Sequence, residues 1–129
     1  METTGKRVLL VEDDRFLRRA CEASLRQRGL AVTTAADGEE GLRLARSEQP
    51  DLILLDMLMP KLSGLEVLRA LRGDEATRAV KILILSNSSR EQDIAEVSNL
   101  GISGYFVKSN LSLQALGELV GRVLDGQSP

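Results

Sequence analysis

The sequence predicts an α/β fold, a parallel five-stranded sheet with helices on both faces, and two features carry that prediction. Short β-rich runs alternate with amphipathic stretches along the chain, the pattern of strands joined by helical crossovers. Two of the runs, Leu52–Leu55 and Ile82–Leu85, are apolar at every position, as strands covered on both faces must be.

Five runs are expected as strands: Arg7–Val11, Leu30–Thr34, Asp51–Leu55, Val80–Leu85 and Gly104–Val107. Leu17, Cys21, Ser24, Leu25 and Arg28 share one face of the first helical stretch. The second is Asp37–Glu48, where Asp37 followed by Glu40 has the spacing of a capping box. Leu65, Leu68 and Leu71 mark the third. The fourth is Arg90–Leu100, opened by Ser88 and Glu91 at capping spacing and stopped by Gly101. The fifth carries Leu113, Leu116, Val120 and Val123 at helical spacing. No repeat or linker interrupts this order. A single domain over 1–129 is expected, its core at about 6–124 and 125–129 a loose tail.

Composition narrows the function. Of 129 residues, 43% are hydrophobic and 28% charged, and the net charge is −2. There is no basic excess, and two Phe, one Tyr and no Trp leave few stacking platforms, so nucleic-acid binding is not expected. The lone Cys21 forms no internal disulfide and suits a small core position in a reducing compartment. Met1–Lys6 is too short for a signal sequence, and no apolar run approaches the ~20 residues that span a bilayer. A cytoplasmic protein with no membrane contact is expected. With no histidine, His-based zinc sites, Ser-His-Asp triads and a phosphohistidine carried by this chain are excluded.

In open α/β sheets, ligands bind at the carboxyl ends of the strands. Glu12, Asp13 and Asp14 follow the first run, Asp56 the third, Ser86 and Asn87 the fourth, and Lys108 the fifth. Each residue has an ordinary role when taken alone. Asp14 suits a helix cap, Asp56 a turn ahead of Pro60 and Gly64, Ser86 a helix entry, and Lys108 a solvated surface. Their convergence on one sheet edge favours a shared site. Neighbouring strands lie ~4.8 Å apart, so if the first and third strands adjoin, Asp13 and Asp56 are crowded. At least one carboxyl pKa then rises unless a cation intervenes. Mg²⁺ answers that need with carboxylates, water and a phosphate as its ligands. A carboxylate beside it becomes a usable nucleophile toward phosphorus, and a nearby ammonium and hydroxyl hold the new phosphoryl oxygens.

Val8-Leu9-Leu10-Val11-Glu12-Asp13-Asp14, Asp56-Met57-Leu58-Met59-Pro60 with Gly64, Ile82-Leu83-Ile84-Leu85-Ser86 and Gly104-Tyr105-Phe106-Val107-Lys108 together resemble the receiver domain of two-component response regulators. The resemblance spans about Lys6 to Leu124. It implies a flavodoxin-like three-layer fold with strand order 2-1-3-4-5. It implies that Asp56 accepts a phosphoryl group from a histidine kinase or histidine phosphotransfer protein. Asp13 and Asp56 would ligate Mg²⁺ (or Mn²⁺) with the Leu58 backbone carbonyl, and Glu12 through water. Lys108 would pair with the phosphoryl group, Ser86 would move to bond it, and Asn87 would border it. Tyr105 stands at an aromatic position that changes rotamer in the family; its plainer role is half-buried packing. The resemblance also implies self-catalysed phosphotransfer, slow autodephosphorylation, and a downstream effector protein or output domain that reads the switch. It leaves open a homodimer through the face of the fourth helix, fifth strand and fifth helix.

Two positions depart from the family. Ser109 replaces the usual proline after the lysine, so either a costly cis bond precedes it or the loop runs differently. Asn87 replaces a small residue and narrows access to the phosphoryl group. Apolar Leu58 cannot orient water, so a long phosphoryl lifetime is expected. Three rival readings fit the residues less well. A haloacid-dehalogenase-type phosphatase needs a second aspartate where Leu58 stands. A nucleotide-binding domain needs a Gly-rich loop after the first strand, which is missing. A receiver-like interaction module that is never phosphorylated would have no need to keep Glu12, Asp13, Asp56, Ser86 and Lys108 together, but Asn87 and Ser109 keep that alternative open.

Overall fold

A computed structural model describes residues 5–59, 61–87, 91–110 and 112–126; the side chains of 91–93 and 110 lie outside that description. The strands are β1 (Arg7–Val11), β2 (Ala31–Ala35), β3 (Leu52–Asp56), β4 (Lys81–Ser86) and β5 (Gly104–Val107). They alternate with helices α1 (Arg15–Gln27), α2 (Gly38–Glu48), α3 (Gly64–Arg72), α4 (Glu91–Ser98) and α5 (Leu113–Leu124). The sheet is parallel throughout, in the order β2-β1-β3-β4-β5. The expected fold class and strand order are both found.

Side chains alternate across the sheet and divide the core in two. Val8, Leu10, Leu52, Leu54, Leu83 and Leu85 meet Cys21 and Leu25 of α1 and Leu116, Val120 and Val123 of α5. Leu9, Val11, Ile53, Leu55, Ile82 and Ile84 meet Ala45 of α2, Val67, Leu68 and Leu71 of α3 and Val97 of α4. Every residue of β3 is buried, because this central strand is covered on both faces. Cys21 is fully buried as expected, and desolvation first, then the nearby Glu12 charge, push its thiol up to about 11.

Three strands sit one residue later than the pattern placed them. Hydropathy marks where a strand is covered, whereas pairing decides where it ends. Asp56 extends β3 because it pairs with Leu85, and Ser86 extends β4 because it pairs with Val107. Asp14 caps α1 by accepting from the Leu17 N–H at 3.1 Å. The Asp37 box is half formed. Asp37 accepts from the Glu40 N–H at 2.8 Å, but the Glu40 carboxylate accepts from Ala36 rather than from Asp37. Ser88 lies outside the described residues. Gly101 follows α4 at φ 78°, a left-handed turn that suits glycine. Asp125 is no loose tail: its N–H closes on the Gly121 carbonyl at 3.0 Å as the cap of α5.

Candidate functional site

Strand register assembles the site. Val11 pairs with Leu55, so Glu12 comes level with Asp56, the last residue of β3. Asp56 pairs with Leu85, which pairs with Phe106, two residues before Lys108. Glu12 and Asp56 continue the rows of Leu10 and Leu54, and Lys108 continues that of Phe106, so all three lie toward α1 and α5.

The contacts match that register. The Lys108 ammonium lies 2.8 Å from Glu12 Oε1 and 3.0 Å from Asp56 Oδ1. Its side chain is 14% exposed, while Glu12 is 0% and Asp56 2% exposed. Carboxylate oxygens of Glu12, Asp13 and Asp56 lie within 4.8 Å of one another. The second Glu12 oxygen accepts from the Asp14 N–H at 3.0 Å, and the Leu58 N–H folds back on Asp56 Oδ1 at 3.3 Å.

One ammonium does not balance three acids. Burial above all, then the Glu12 charge and the Asp13 carboxyl, raise Asp56 to about 7; Lys108 pulls the other way. Burial alone would depress Lys108, but Glu12 and Asp56 outweigh it and hold the ammonium above the ordinary lysine range. Three hard oxygen donors in one crowded pocket, one of them reluctant to ionise, are a donor set suited to a divalent cation.

The remaining expected residues lie on β4, on β5 and just beyond β4. Ser86 is buried one rung beyond Leu85 and continues the row of Ile82 and Ile84, on the sheet face opposite to that of Asp56. Tyr105 pairs with Ile84 and packs half-buried on the same face. Asn87, just beyond Ser86, is exposed. After Lys108 the costly cis bond is not found. Lys108–Asn110 form a 3₁₀ turn, and no peptide is cis among the described residues.

The loop after Asp56 is fixed by close packing. The Gly64 N–H donates to the Met57 carbonyl at 3.1 Å, and a Cβ on Gly64 would collide with the Asp56 carbonyl and lie 2.6 Å from Met57 Cα. Lys61 in this loop is left-handed, at φ 70°, and pairs with Asp37 at 3.3 Å. The pattern reading missed two features here. Ser63 and Glu66 form a complete capping box at the start of α3, a Ser-x-x-Glu signal present in the sequence. Arg18 donates to the Glu12 carbonyl at 2.9 Å and to the Asp13 carbonyl at 3.4 Å, which no motif announces.

A family model described as "Response regulator receiver domain" matches residues 8–120. The chain belongs to the response-regulator receiver family. As a receiver domain it is a phosphorylation-dependent switch of two-component signalling. It is 38% identical to the Streptomyces coelicolor transcriptional regulatory protein AfsQ1, over 93% of this chain and 48% of that protein. It is 38% identical to the Bacillus subtilis alkaline phosphatase synthesis transcriptional regulatory protein PhoP, over 81% of this chain and 42% of that protein. The receiver thus spans about half the length of the curated relatives it matches. Among solved structures it is similar to a CheY-like receiver domain protein from Methanospirillum hungatei (TM-score 0.88, 26% identity, 96% of this chain and 97% of that chain). It is also similar to the chemotaxis response regulator CheY4 of Vibrio cholerae (TM-score 0.86, 31% identity, 93% and 99%). No helix among the described residues of the receiver is long and apolar enough to cross a membrane.

Proposed function

We propose that Asp56 is the phosphoacceptor of this receiver and that the acid pocket is its Mg²⁺ seat. The observation that carries the reading is the clustering of Glu12, Asp13 and Asp56 oxygens within 4.8 Å of one another, with the Lys108 ammonium paired to Glu12 and Asp56. Asp13 and Asp56 would hold the ion with the Leu58 carbonyl, and Glu12 would act through water; Mn²⁺ suits the same oxygens. Bound there, the ion supplies charge neutralisation for the carboxylates and the incoming phosphoryl group.

As the family resemblance implies, the donor would be a phosphohistidine on a histidine kinase or phosphotransfer protein; this chain has no histidine to carry one. An Asp56 carboxylate oxygen attacks phosphorus, the P–N bond breaks, and imidazole leaves with the bonding pair. Lys108, already 3.0 Å from Asp56, follows the phosphoryl oxygens. The new group brings three acceptors and about −1.5 to −2 charge. Ser86 moves to satisfy one acceptor, Asn87 borders the group at the pocket mouth, and Tyr105 on the same sheet face adjusts with Ser86. An effector protein or output domain reads the changed α4–β5–α5 surface, which a second copy of the chain could also use. Phe16, 88% exposed at the start of α1, and Leu58, 72% exposed after Asp56, give an incoming partner apolar contacts beside the acids.

Acetyl phosphate with Mg²⁺ tests the assignment. Intact mass should show one phosphoryl adduct that is lost in Asp56→Asn and in EDTA. An adduct that survives Asp56→Asn moves the acceptor elsewhere. No adduct, from small donors or from kinases, favours a passive interaction module.

A further inference from the structure

Nothing in the proposed chemistry uses Arg18, yet its side chain grips the acid-bearing turn through two backbone carbonyls. Arg18 sits in the first turn of α1, where its backbone N–H closes on the Asp14 carbonyl at 2.8 Å. Its side chain folds back toward the helix start, the usual direction for a long helical side chain. There Nη1 approaches the Glu12 carbonyl at 2.9 Å and the Asp13 carbonyl at 3.4 Å. Nη1 carries two N–H bonds, one for each oxygen.

These carbonyls belong to the two peptide planes that flank the Asp13 Cα. Holding both planes fixes the backbone dihedrals of Asp13, and with them the direction of its Cα–Cβ bond. Asp13 is exposed, unlike buried Glu12 and Asp56. Packing therefore orients the other two carboxylates and does little for this one. Glu12 gains a second hold, since its carboxylate also accepts from the Asp14 N–H.

We propose that Arg18 is a positioning residue that aims the Asp13 carboxylate into the cation seat by clamping the carbonyls of Glu12 and Asp13. The inference rests on the reading of that pocket as a Mg²⁺ site. Groups that orient metal ligands from behind typically change affinity about 10- to 100-fold when removed.

The test is calorimetric titration of Mg²⁺ into the unphosphorylated protein, paired with acetyl phosphate rates across Mg²⁺ concentrations. Arg18→Met should weaken Mg²⁺ binding by about tenfold or more. It should raise the half-saturating Mg²⁺ for phosphorylation to match, while the rate at saturating Mg²⁺ returns to that of wild type. Arg19→Met is the control, because Arg19 is the exposed neighbour on the same helix and its loss changes the net charge equally. It should stay within about twofold of wild type. Should Arg18→Met fail to fold by circular dichroism, Arg18→Gln, too short to span both carbonyls, replaces it with the same expectation. Unchanged affinity in the folded variant overturns the proposal. So does an equal loss in Arg19→Met, which would reduce the effect to net charge, or a lower rate that saturating Mg²⁺ cannot restore. If wild type takes up no Mg²⁺, the reading of the pocket falls first and this proposal with it.

Discussion

Asp56 holds a proton in the metal-free native state over a range where the unfolded chain has lost it. Its native value is about 7 against 3.8 when unperturbed. A carboxyl raised on folding adds stability below its unfolded value and loses that contribution as pH climbs through its native value. Metal-free protein should therefore melt higher at pH 5.5 than at pH 8, and Asp56→Asn should flatten that slope. No histidine titrates in the window to obscure it. Scans in EDTA across this range check both outcomes; a slope of opposite sign refutes the crowding. Asp13→Asn removes one of the three acids, so it should raise the melting temperature in EDTA while weakening Mg²⁺ binding. A lower melting temperature in EDTA would mean that the acids do not repel as described. Gly64→Ala is a purely steric probe of the same pocket. The added methyl meets the Asp56 carbonyl and Met57 Cα, and forcing it in should cost about 1–3 kcal/mol by denaturant unfolding.

Individual elements hold the site by their ends. α3 begins beside the loop after Asp56, and its box joins Ser63 to Glu66 through two bonds, 3.0 and 3.2 Å long. Ser63→Ala should cost about 1 kcal/mol, with faster amide exchange in the first turn of α3. α4 has no basic residue in its own last turn. Arg72 of α3 brings a cation to the turn just after it, donating to the carbonyls of Leu100 at 2.9 Å and Gly101 at 2.6 Å, and to that of Arg78 at 3.0 Å. A cation at a helix C-terminus offsets the partial negative charge there. Leu58 belongs to the loop between β3 and α3. Being exposed and apolar, it cannot order a water for attack on an aspartyl phosphate, so Leu58→Asn should shorten the phosphoryl lifetime. Decay followed by intact mass decides; an unchanged lifetime removes Leu58 from that role.

At the scale of the molecule, the hydrophobic pattern determines the layers, and the strand ends reveal the acids. Continuous apolarity at 52–55 and 82–85 placed the central strands because burial on both faces leaves no other pattern. What the pattern could not give is pairing and reach. The one-residue shifts of β2, β3 and β4 come from partner strands, and Arg18 acts through backbone carbonyls that carry no residue identity. The change after Lys108 was visible as Ser109, whereas the 3₁₀ turn that resolves it needed coordinates. Strand order came through the family resemblance, since spacing alone does not rank neighbours.

Tyr105 is the sole tyrosine of a chain without tryptophan, and it packs half-buried on the α2–α3–α4 side of an edge strand. The intrinsic ultraviolet emission of the protein therefore issues almost wholly from one phenol at one known address. A disturbance of that face when the acid pocket fills can be followed in unlabelled protein as a change in brightness.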